Sequence, residues 1–257
     1  MFIDTHCHLH FDDYRDDQEK VIQRAIQSRV NSIITIGTDI RTSQQAIALA
    51  EKYAIVYAAI GVHPNDADNF SKNSLTELEQ LAIHKKVVAI GEIGLDYYRM
   101  ALSRATQIKV FREQLNLAKR LQLPVIIHNR EAHDDIFKIL EEEKLGTYGV
   151  VLHSFSGSIK FMEDILNKNF YISFTGVITF KNTDFYKLID RVPLQQLLLE
   201  TDSPFLTPVP FRGKRNEPSY LKYIADKISK IKGISVEELA QITSENAINL
   251  FQLKKDV

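Results

Sequence analysis

The sequence predicts an α/β fold in which eight parallel strands and their connecting helices close into a TIM-type (β/α)₈ barrel. Short apolar segments alternate with longer amphipathic ones, which is the pattern of repeated strand–helix units. The chain has 257 residues, a usual length for one barrel of this type. No GxGxxG motif follows the first strand, so the competing architecture, an open doubly wound sheet, lacks its commonest signature.

The predicted strands are mostly continuous apolar runs, as expected for strands that are covered on both faces. They span residues 2–6, 32–37, 56–61, 87–93, 125–128, 149–153, 171–174 and 197–200. Between them we predict helices over residues 17–29, 41–52, 74–84, 103–121, 132–144, 158–168 and 183–191, with two more over 217–231 and 236–251. Two capping boxes, Ser74 with Glu77 and Ser235 with Glu238, are predicted to begin helices.

The rest of the chain shows no sign of a domain boundary. Residues 203–218 carry four of the seven prolines and are predicted to form an ordered loop. We find no Gly/Ser linker, internal repeat or low-complexity tract. Residues 1–257 are therefore expected to form a single barrel domain.

The composition is that of a soluble globular protein, with 44% hydrophobic and 25% charged residues. The formal net charge of −1 gives no overall attraction to nucleic acid, so an anionic substrate would need a local basic cluster or metal ions. The single cysteine, Cys7, excludes an intramolecular disulfide, and no signal peptide or membrane-spanning run is present. We expect a cytoplasmic protein without membrane contact; the oligomeric state stays open, and a monomer is compatible with the sequence.

Metal-competent side chains stand at the ends of most predicted strands. In a parallel barrel these ends meet on one face, which is the face that carries active sites. The residues are His6, His8, His63, Glu92, His128, His153 and Asp202. Each has a plainer reading on its own, such as a buried histidine or an Asx turn at Asp202, but their shared position favours a metal site.

The spacing within this set supports metal binding. His6 and His8 are two residues apart, so on a strand both side chains point to the same face. Glu92 lies in an apolar strand beside two glycines, which would let an ion approach closely, and a lone buried carboxylate is costly unless it is paired or binds metal. A carboxylate with two oxygens can bridge two cations. The alternative for Glu92 is a hydrogen bond to the backbone at a tight turn.

Other polar residues are candidates for substrate contacts. His63, followed by proline, either is structural or holds a substrate phosphate. Residues 212–216 carry Arg212 and Arg215 after the last strand, where they form either a solvated charge run or a phosphate contact. Residues 96–98 either line the mouth of the barrel or pack within a loop. A basic cluster this small predicts few phosphate contacts and a shallow salt dependence of binding.

Several segments together resemble the TatD family of metal-dependent deoxyribonucleases, within the amidohydrolase-like superfamily. The segments are FIDTHCHL from Phe2, GVHP from Gly61, GEIGLDY from Gly91, HSFSG from His153, LETDSP from Leu199 and RGKRNEP from Arg212. The resemblance continues to Asn246, Ala247, Leu250 and Phe251 and so covers nearly the whole chain, and the expected ligand positions are all present.

This resemblance implies a distorted TIM barrel that hydrolyses phosphodiester bonds in DNA with two divalent metal ions, from 3′ ends and preferably in single strands. It assigns His6, His8, Glu92 and Asp202 to one ion, and Glu92, His128 and His153 to the other. His63 would lie near the scissile phosphate, and Asp202 would orient or deprotonate the attacking water. The ion could be Mg, Mn, Zn or Ni, because imidazole and carboxylate ligands suit several of these.

Two other functions are compatible with the sequence. An amidohydrolase or deacylase would use the same metal site on a small amide or aminoacyl ester, although the fourth strand offers Glu92 rather than a lysine as the bridge. A non-catalytic binding module would retain the barrel without turnover, but such a protein is expected to lose its ligands first.

Overall fold

Eight parallel strands lie side by side in chain order in the computed structural model, which describes residues 1–145, 149–181 and 184–254. They are β1 (Phe2–Cys7), β2 (Val30–Ile36), β3 (Val56–Ile60), β4 (Val87–Asp96), β5 (Val125–Arg130), β6 (Val150–Leu152), β7 (Tyr171–Phe174) and β8 (Leu197–Leu199). This order, with a helix after each strand, is that of a (β/α)₈ barrel, so the predicted fold is confirmed.

The barrel closes between β1 and the segment that follows β8. The Asp202 N–H donates to the His6 carbonyl oxygen at 2.8 Å, and the His8 N–H donates to the Ser203 carbonyl oxygen at 2.7 Å. Cys7 and Ser203 form an isolated parallel bridge between these bonds. The closure thus joins residues almost 200 positions apart and holds His6, His8 and Asp202 at one rim.

Nine helices connect or follow the strands among the described residues. They are α1 (Gln18–Gln27), α2 (Ile40–Lys52), α3 (Lys72–Leu81), α4 (Arg104–Leu121), α5 (His133–Glu143), α6 (Ile159–Leu166), α7 (Phe185–Arg191), α8 (Leu221–Lys232) and α9 (Val236–Phe251). No helix in these parts of the chain has the length and apolar character needed to cross a membrane.

The strands separate two apolar layers because successive side chains point to opposite faces. Ile33 belongs to the layer between strands and helices, whereas Ile34 belongs to a smaller cluster with strand residues from around the barrel. Helix α9 adds Ala247 and Phe251 to this smaller cluster. The apolar packing therefore holds the strands on both faces, and the imidazoles and carboxylates of the predicted site lie at or near the carboxyl ends of the strands.

Element boundaries differ from the prediction where local signals compete. Helix α3 begins at Lys72, because Ser71 caps it in a reciprocal pair with Ser74; the predicted capping box of Ser74 with Glu77 is wrong. For the predicted box of Ser235 with Glu238, the cap is confirmed, since the Ser235 side chain accepts from the Glu238 N–H; the reciprocal bond from the Glu238 side chain is not formed among the described residues. Residue 183, the predicted start of the seventh helix, lies outside the described residues.

Strand β4 runs to Asp96, three residues beyond the predicted end, because its pairing with β5 continues to Arg130. Gly94 lies in this extension with φ 147°, and a Cβ atom there would stand 2.0 Å from the His128 carbonyl oxygen. Close contact with β5 therefore requires glycine at this position. The sequence had suggested that the glycines beside Glu92 make room for an ion; at Gly94 the space is taken by the backbone of β5. The same contact brings β4 and its Glu92 against His128.

Candidate metal centre

Glu92 occupies the middle of a cluster of imidazoles at the mouth of the barrel. Its Oε1 lies 2.6 Å from His128 Nδ1 and 2.8 Å from His153 Nε2. Its Oε2 faces the other side, 3.5 Å from His6 Nε2 and 3.8 Å from His8 Nε2. The two oxygens of one carboxylate therefore address two different pairs of histidines.

Asp202 completes the His6 and His8 side of the cluster. Its Oδ1 lies 3.7 Å from His6 Nε2 and 3.6 Å from His8 Nε2. The residue adopts φ 55°, a conformation that aspartate tolerates better than most residues. Its backbone N–H makes the closing bond to β1, while its carboxylate points to the imidazoles rather than capping a turn.

A hydrogen bond from His8 Nδ1 to the backbone leaves the other ring nitrogen, Nε2, free to act as a ligand. His8 Nδ1 lies 2.8 Å from the Ile36 carbonyl oxygen, which accepts only, so Nδ1 carries the proton. The lone pair of Nε2 is then directed toward Glu92 and Asp202. This arrangement, with the outer N–H held by a carbonyl, is the usual one for a metal-binding histidine.

Buried carboxylates stand behind His128 and His153 in the same way. Asp96 Oδ2 lies 3.4 Å from His128 Nε2, and Glu200 Oε1 lies 3.6 Å from His153 Nδ1. In each ring the other nitrogen, Nδ1 of His128 and Nε2 of His153, faces Glu92. Carboxylates in these positions orient the imidazoles and increase their basicity as ligands.

Sequence reasoning missed Glu200 as a site residue. It is fully buried at the end of β8, where it accepts from the Ser154 N–H at 2.6 Å and from the Ser173 hydroxyl at 2.7 Å. The available signal was an acidic residue closing an apolar strand, which is the same signal that singled out Glu92. Asp202, two residues later, carries a similar signal.

The cluster contains buried polar atoms to which no described residue hydrogen-bonds, and which a bound cation would satisfy. Both ring nitrogens of the fully buried His6 have no hydrogen-bond partner among the described residues, and its ring stacks on His153 at 3.9 Å. A buried nitrogen without a partner is costly. His6, His8 and Glu92 offer ligand atoms within 4.8 Å of one another, as do His63, Glu92 and His128. The donor set of imidazole and carboxylate suits Zn, Mn, Ni and related ions.

The electrostatics keep the central carboxylate ionised. Burial alone would raise the pKa of Glu92, but the neighbouring His153 and His63 and a hydrogen bond from His128 hold that pKa well below its usual range. Burial lowers the pKa of His153, and the charges of Glu92 and Glu200 more than reverse this effect, so that its pKa is raised well above the usual value. The site is thus built to hold negative charge on Glu92.

His63 adjoins the cluster, and its tautomer is the opposite of that of His8. The Asn65 N–H donates to His63 Nδ1 at 3.1 Å, so Nδ1 is unprotonated and the neutral ring carries its proton on Nε2. Burial lowers the pKa of His63 to about 3, which keeps the ring neutral. Nε2 lies 3.6 Å from Glu92 Oε1. In this state His63 offers an N–H donor to the site rather than a ligand lone pair.

The two arginines predicted as phosphate contacts lie outside the histidine cluster. Arg215 binds the Asp17 carboxylate at 2.7 and 2.9 Å and lies over the Tyr14 ring, which fastens the loop after β8 to the start of α1. Arg212 is exposed and lies over the Phe180 ring at 4.3 Å. Arg215 is therefore occupied by protein groups, whereas Arg212 is accessible.

A parallel (β/α)₈ barrel with imidazoles and carboxylates gathered at the carboxyl ends of its strands has the architecture of a metal-dependent hydrolase. Residues 3–252 match the family described as TatD related DNase. The chain belongs to the TatD family of metal-dependent hydrolases.

Named relatives and a solved structure agree with this assignment. The chain is 46% identical to the metal-dependent hydrolase YabD of Bacillus subtilis (strain 168), with 98% of this chain and 100% of the relative covered. It is 35% identical to the 3′-5′ ssDNA/RNA exonuclease TatD of Salmonella typhimurium, over 93% of this chain and 95% of the relative. The crystal structure of YjjV, a TatD homologue from Escherichia coli K12, shares 36% identity and a TM-score of 0.90, with 98% of each chain covered.

Proposed function

We propose that this protein is a divalent-metal-dependent deoxyribonuclease that removes nucleotides from the 3′ ends of single-stranded DNA. The observation that carries this proposal is the division of Glu92 between two sets of ligands, with Oε2 toward His6 and His8 and Oε1 toward His128 and His153. A bridging carboxylate of this kind suits a pair of cations. The name of the Salmonella typhimurium relative supports a nucleic-acid substrate.

Six residues would hold the ions. His6, His8 and Asp202 with Glu92 Oε2 form one set, and His128 and His153 with Glu92 Oε1 form the other. Divalent ions bound there supply a water of lowered pKa and a Lewis acid for the phosphoryl oxygens. The identity of the ion, Mg, Mn, Zn or Ni, is left to experiment.

Asp202 and His63 are assigned to the proton movements. The Asp202 carboxylate is half-buried at the rim and accepts from no backbone N–H among the described residues, so it can orient the attacking water and take its proton. His63 presents Nε2–H from the opposite side of Glu92 and can donate it to a phosphate oxygen. Arg212, which is exposed, is an accessible basic side chain in the loop that the sequence singled out.

Hydrolysis of 5′-labelled single-stranded DNA, with Mg, Mn, Zn and Ni supplied in turn, tests this function. We expect a ladder of products shortened from the 3′ end with at least one ion, and none with EDTA. The variant Glu92→Gln removes the bridging charge, and we expect it to lose more than about 100-fold in rate, beyond the usual effect of removing a partner that only orients a ligand.

The exposed Glu237 of α9 provides the matched control. Glu237→Gln makes the same chemical change away from the mouth and is expected to retain the full rate. Turnover of small amides or aminoacyl esters without turnover of DNA under any of the four ions would contradict the proposal and favour a deacylase.

A further inference from the structure

Aromatic side chains extend the candidate site on the side of His8. Phe11, which follows β1, stacks on the His8 ring with a centroid distance of 4.7 Å. Phe205, which follows β8, lies edge-on to both Phe11 and His8 at 6.4 and 6.1 Å. Phe205 is 51% exposed, a large fraction for a phenylalanine next to a buried polar centre. The ring is therefore available to a ligand that also reaches the centre.

A second aromatic surface adjoins the site on the side of His128. Asp96, whose Oδ2 faces His128, accepts through Oδ1 from the backbone N–H groups of Tyr98 and Arg99. Tyr98 is 59% exposed, and the Arg130 guanidinium lies 4.1 Å from its ring centroid. One face of this ring is taken by the guanidinium, so the other face is the one open to a ligand.

The arginines divide into two groups that differ in position. Those that form an ion pair with a carboxylate are Arg15, Arg24, Arg112, Arg120, Arg191 and Arg215. Those without an ion pair among the described residues are Arg29, Arg41, Arg99, Arg104, Arg130 and Arg212. Except for Arg29, every member of the second group lies at the carboxyl end of a strand or between that end and the first turn of the next α-helix, which is the face of the histidine cluster.

Arginine side chains without a carboxylate partner in the described part of the chain, interleaved with exposed rings, fit a polyanion that carries flat apolar groups. Single-stranded nucleic acid has this chemistry, because its bases are free to stack on aromatic rings while its phosphates meet basic side chains. In a duplex the bases are already stacked on one another and cannot reach the rings. The net charge of −1 makes a local arrangement necessary for such a ligand.

We infer that the mouth of the barrel binds a single DNA strand over several nucleotides, with one base stacked on Phe205 and another on Tyr98, on opposite sides of the histidine cluster. Arg99, Arg130 and Arg212 bind the phosphates that follow along the strand. This inference rests on the proposed function for its substrate, but it concerns how the strand is held rather than how it is cut. It adds phosphate contacts to the few that Arg212 and Arg215 alone had suggested.

Fluorescence anisotropy with the metal-loaded protein tests the binding surface without any turnover. The probe is a labelled oligothymidylate of about 12 nucleotides, within the usual span of single-strand sites, with phosphorothioate linkages that resist hydrolysis. We expect Phe205→Ala and Tyr98→Ala each to weaken binding at least about fivefold, the lower bound for loss of one stacked base. A fully paired duplex of the same length is expected to bind more weakly, with no change in the two variants.

The arginines are tested through the salt dependence of the same binding. Each of Arg99→Gln, Arg130→Gln and Arg212→Gln is expected to reduce the slope of log affinity against log salt by about 0.7, the value for one phosphate contact on a single strand. Arg29→Gln is the matched control, because Arg29 is also exposed and without an ion pair but lies just before β2, at the amino end of the barrel. Ile83→Ala, which removes an exposed apolar side chain just before β4, is the control for the rings.

The outcomes separate this inference from the proposed function. If the wild type degrades single-stranded DNA while Phe205→Ala and Tyr98→Ala bind the probe as the wild type does, the binding surface is wrong and the nuclease assignment stands. If the variants weaken binding as expected but no ion supports hydrolysis, the surface stands and the nuclease assignment fails. Tight binding of the duplex, lost equally in all variants, would also overturn the inference.

Discussion

At the scale of single residues, the positions of the imidazole protons distinguish ligands from donors. His8 Nδ1–H donates a hydrogen bond to the Ile36 carbonyl oxygen, and the outer nitrogens of His128 and His153 lie 3.4 and 3.6 Å from the carboxylates of Asp96 and Glu200. With a proton on the outer nitrogen alone, each of these rings would present the lone pair of its inner nitrogen to a bound cation. His63 is reversed, because a backbone N–H occupies its Nδ1. The hydrogen-bond partners outside the cluster thus decide what each ring can do inside it.

The role of Glu200 leads to a prediction about metal affinity. Glu200→Gln keeps an acceptor for Ser154 and Ser173 but removes the negative charge behind His153. Loss of such a partner typically lowers metal affinity by about 10–100-fold, and we expect a decrease in this range. Calorimetric titration of metal-free protein with Zn or Mn measures it.

Glu163→Gln, at an exposed ion pair with Arg191, is the control for this titration and should bind metal as the wild type does. A melting temperature measured without metal shows whether Glu200→Gln is folded. A folded variant with wild-type affinity would show that Glu200 does not position His153.

At the scale of elements, a half-buried carboxylate joins two of the outer helices. Glu143 at the end of α5 binds Arg112 and Lys119 of α4, at 2.8 and 2.5 Å. Burial raises the pKa of Glu143, but the hydrogen bonds from Lys119 and Arg112 outweigh it, and the pKa is lowered. Because these side chains are partly exposed, the interaction contributes about 1 kcal/mol at most.

The lowered pKa of Glu143 fixes the sign of its pH dependence. Its contribution is fully present above the unfolded-state pKa and is lost as pH falls through the folded-state pKa, because the unfolded chain binds the proton first. Glu143→Gln should therefore lower the free energy of unfolding by up to about 1 kcal/mol at pH 7, and the difference should vanish in acid. Urea denaturation of both proteins across this range measures the difference; a constant difference at all pH values would contradict the assignment.

The elements also show how far the sequence alone can lead. The apolar runs and the residues closing them predicted the barrel and the gathering of His6, His128 and Asp202, because strand ends share one face. The start of α3 was missed because Ser71 and Ser74 are the same type of cap residue, and in the structure both take part in one reciprocal cap with Ser71 in the N-cap position. The end of β4 was missed because its last residues are held by pairing with β5 rather than by their own preference.

At the scale of the whole molecule, contacts between segments distant in the chain could not be predicted from the sequence. The sequence made Arg215 a candidate phosphate contact. In the structure its guanidinium binds Asp17, on the other side of the barrel closure. The aromatic surface at Phe205 likewise depends on Phe11, which reaches it only because the segment after β8 joins β1. Local sequence patterns indicate which residues could bind a metal or a substrate. Closure of the barrel decides which of these side chains are paired within the protein and which are available to a ligand.

The central claim is that residues from both sides of this closure hold a pair of divalent ions shared by Glu92. Anomalous diffraction from crystals grown with Mn or Zn tests it most directly, because it locates each ion without reference to activity. We predict two peaks roughly 3.5–4 Å apart, as in other two-metal sites, one beside His6, His8 and Asp202 and the other beside His128 and His153. A single peak away from Glu92, or none at the mouth of the barrel, would contradict the account.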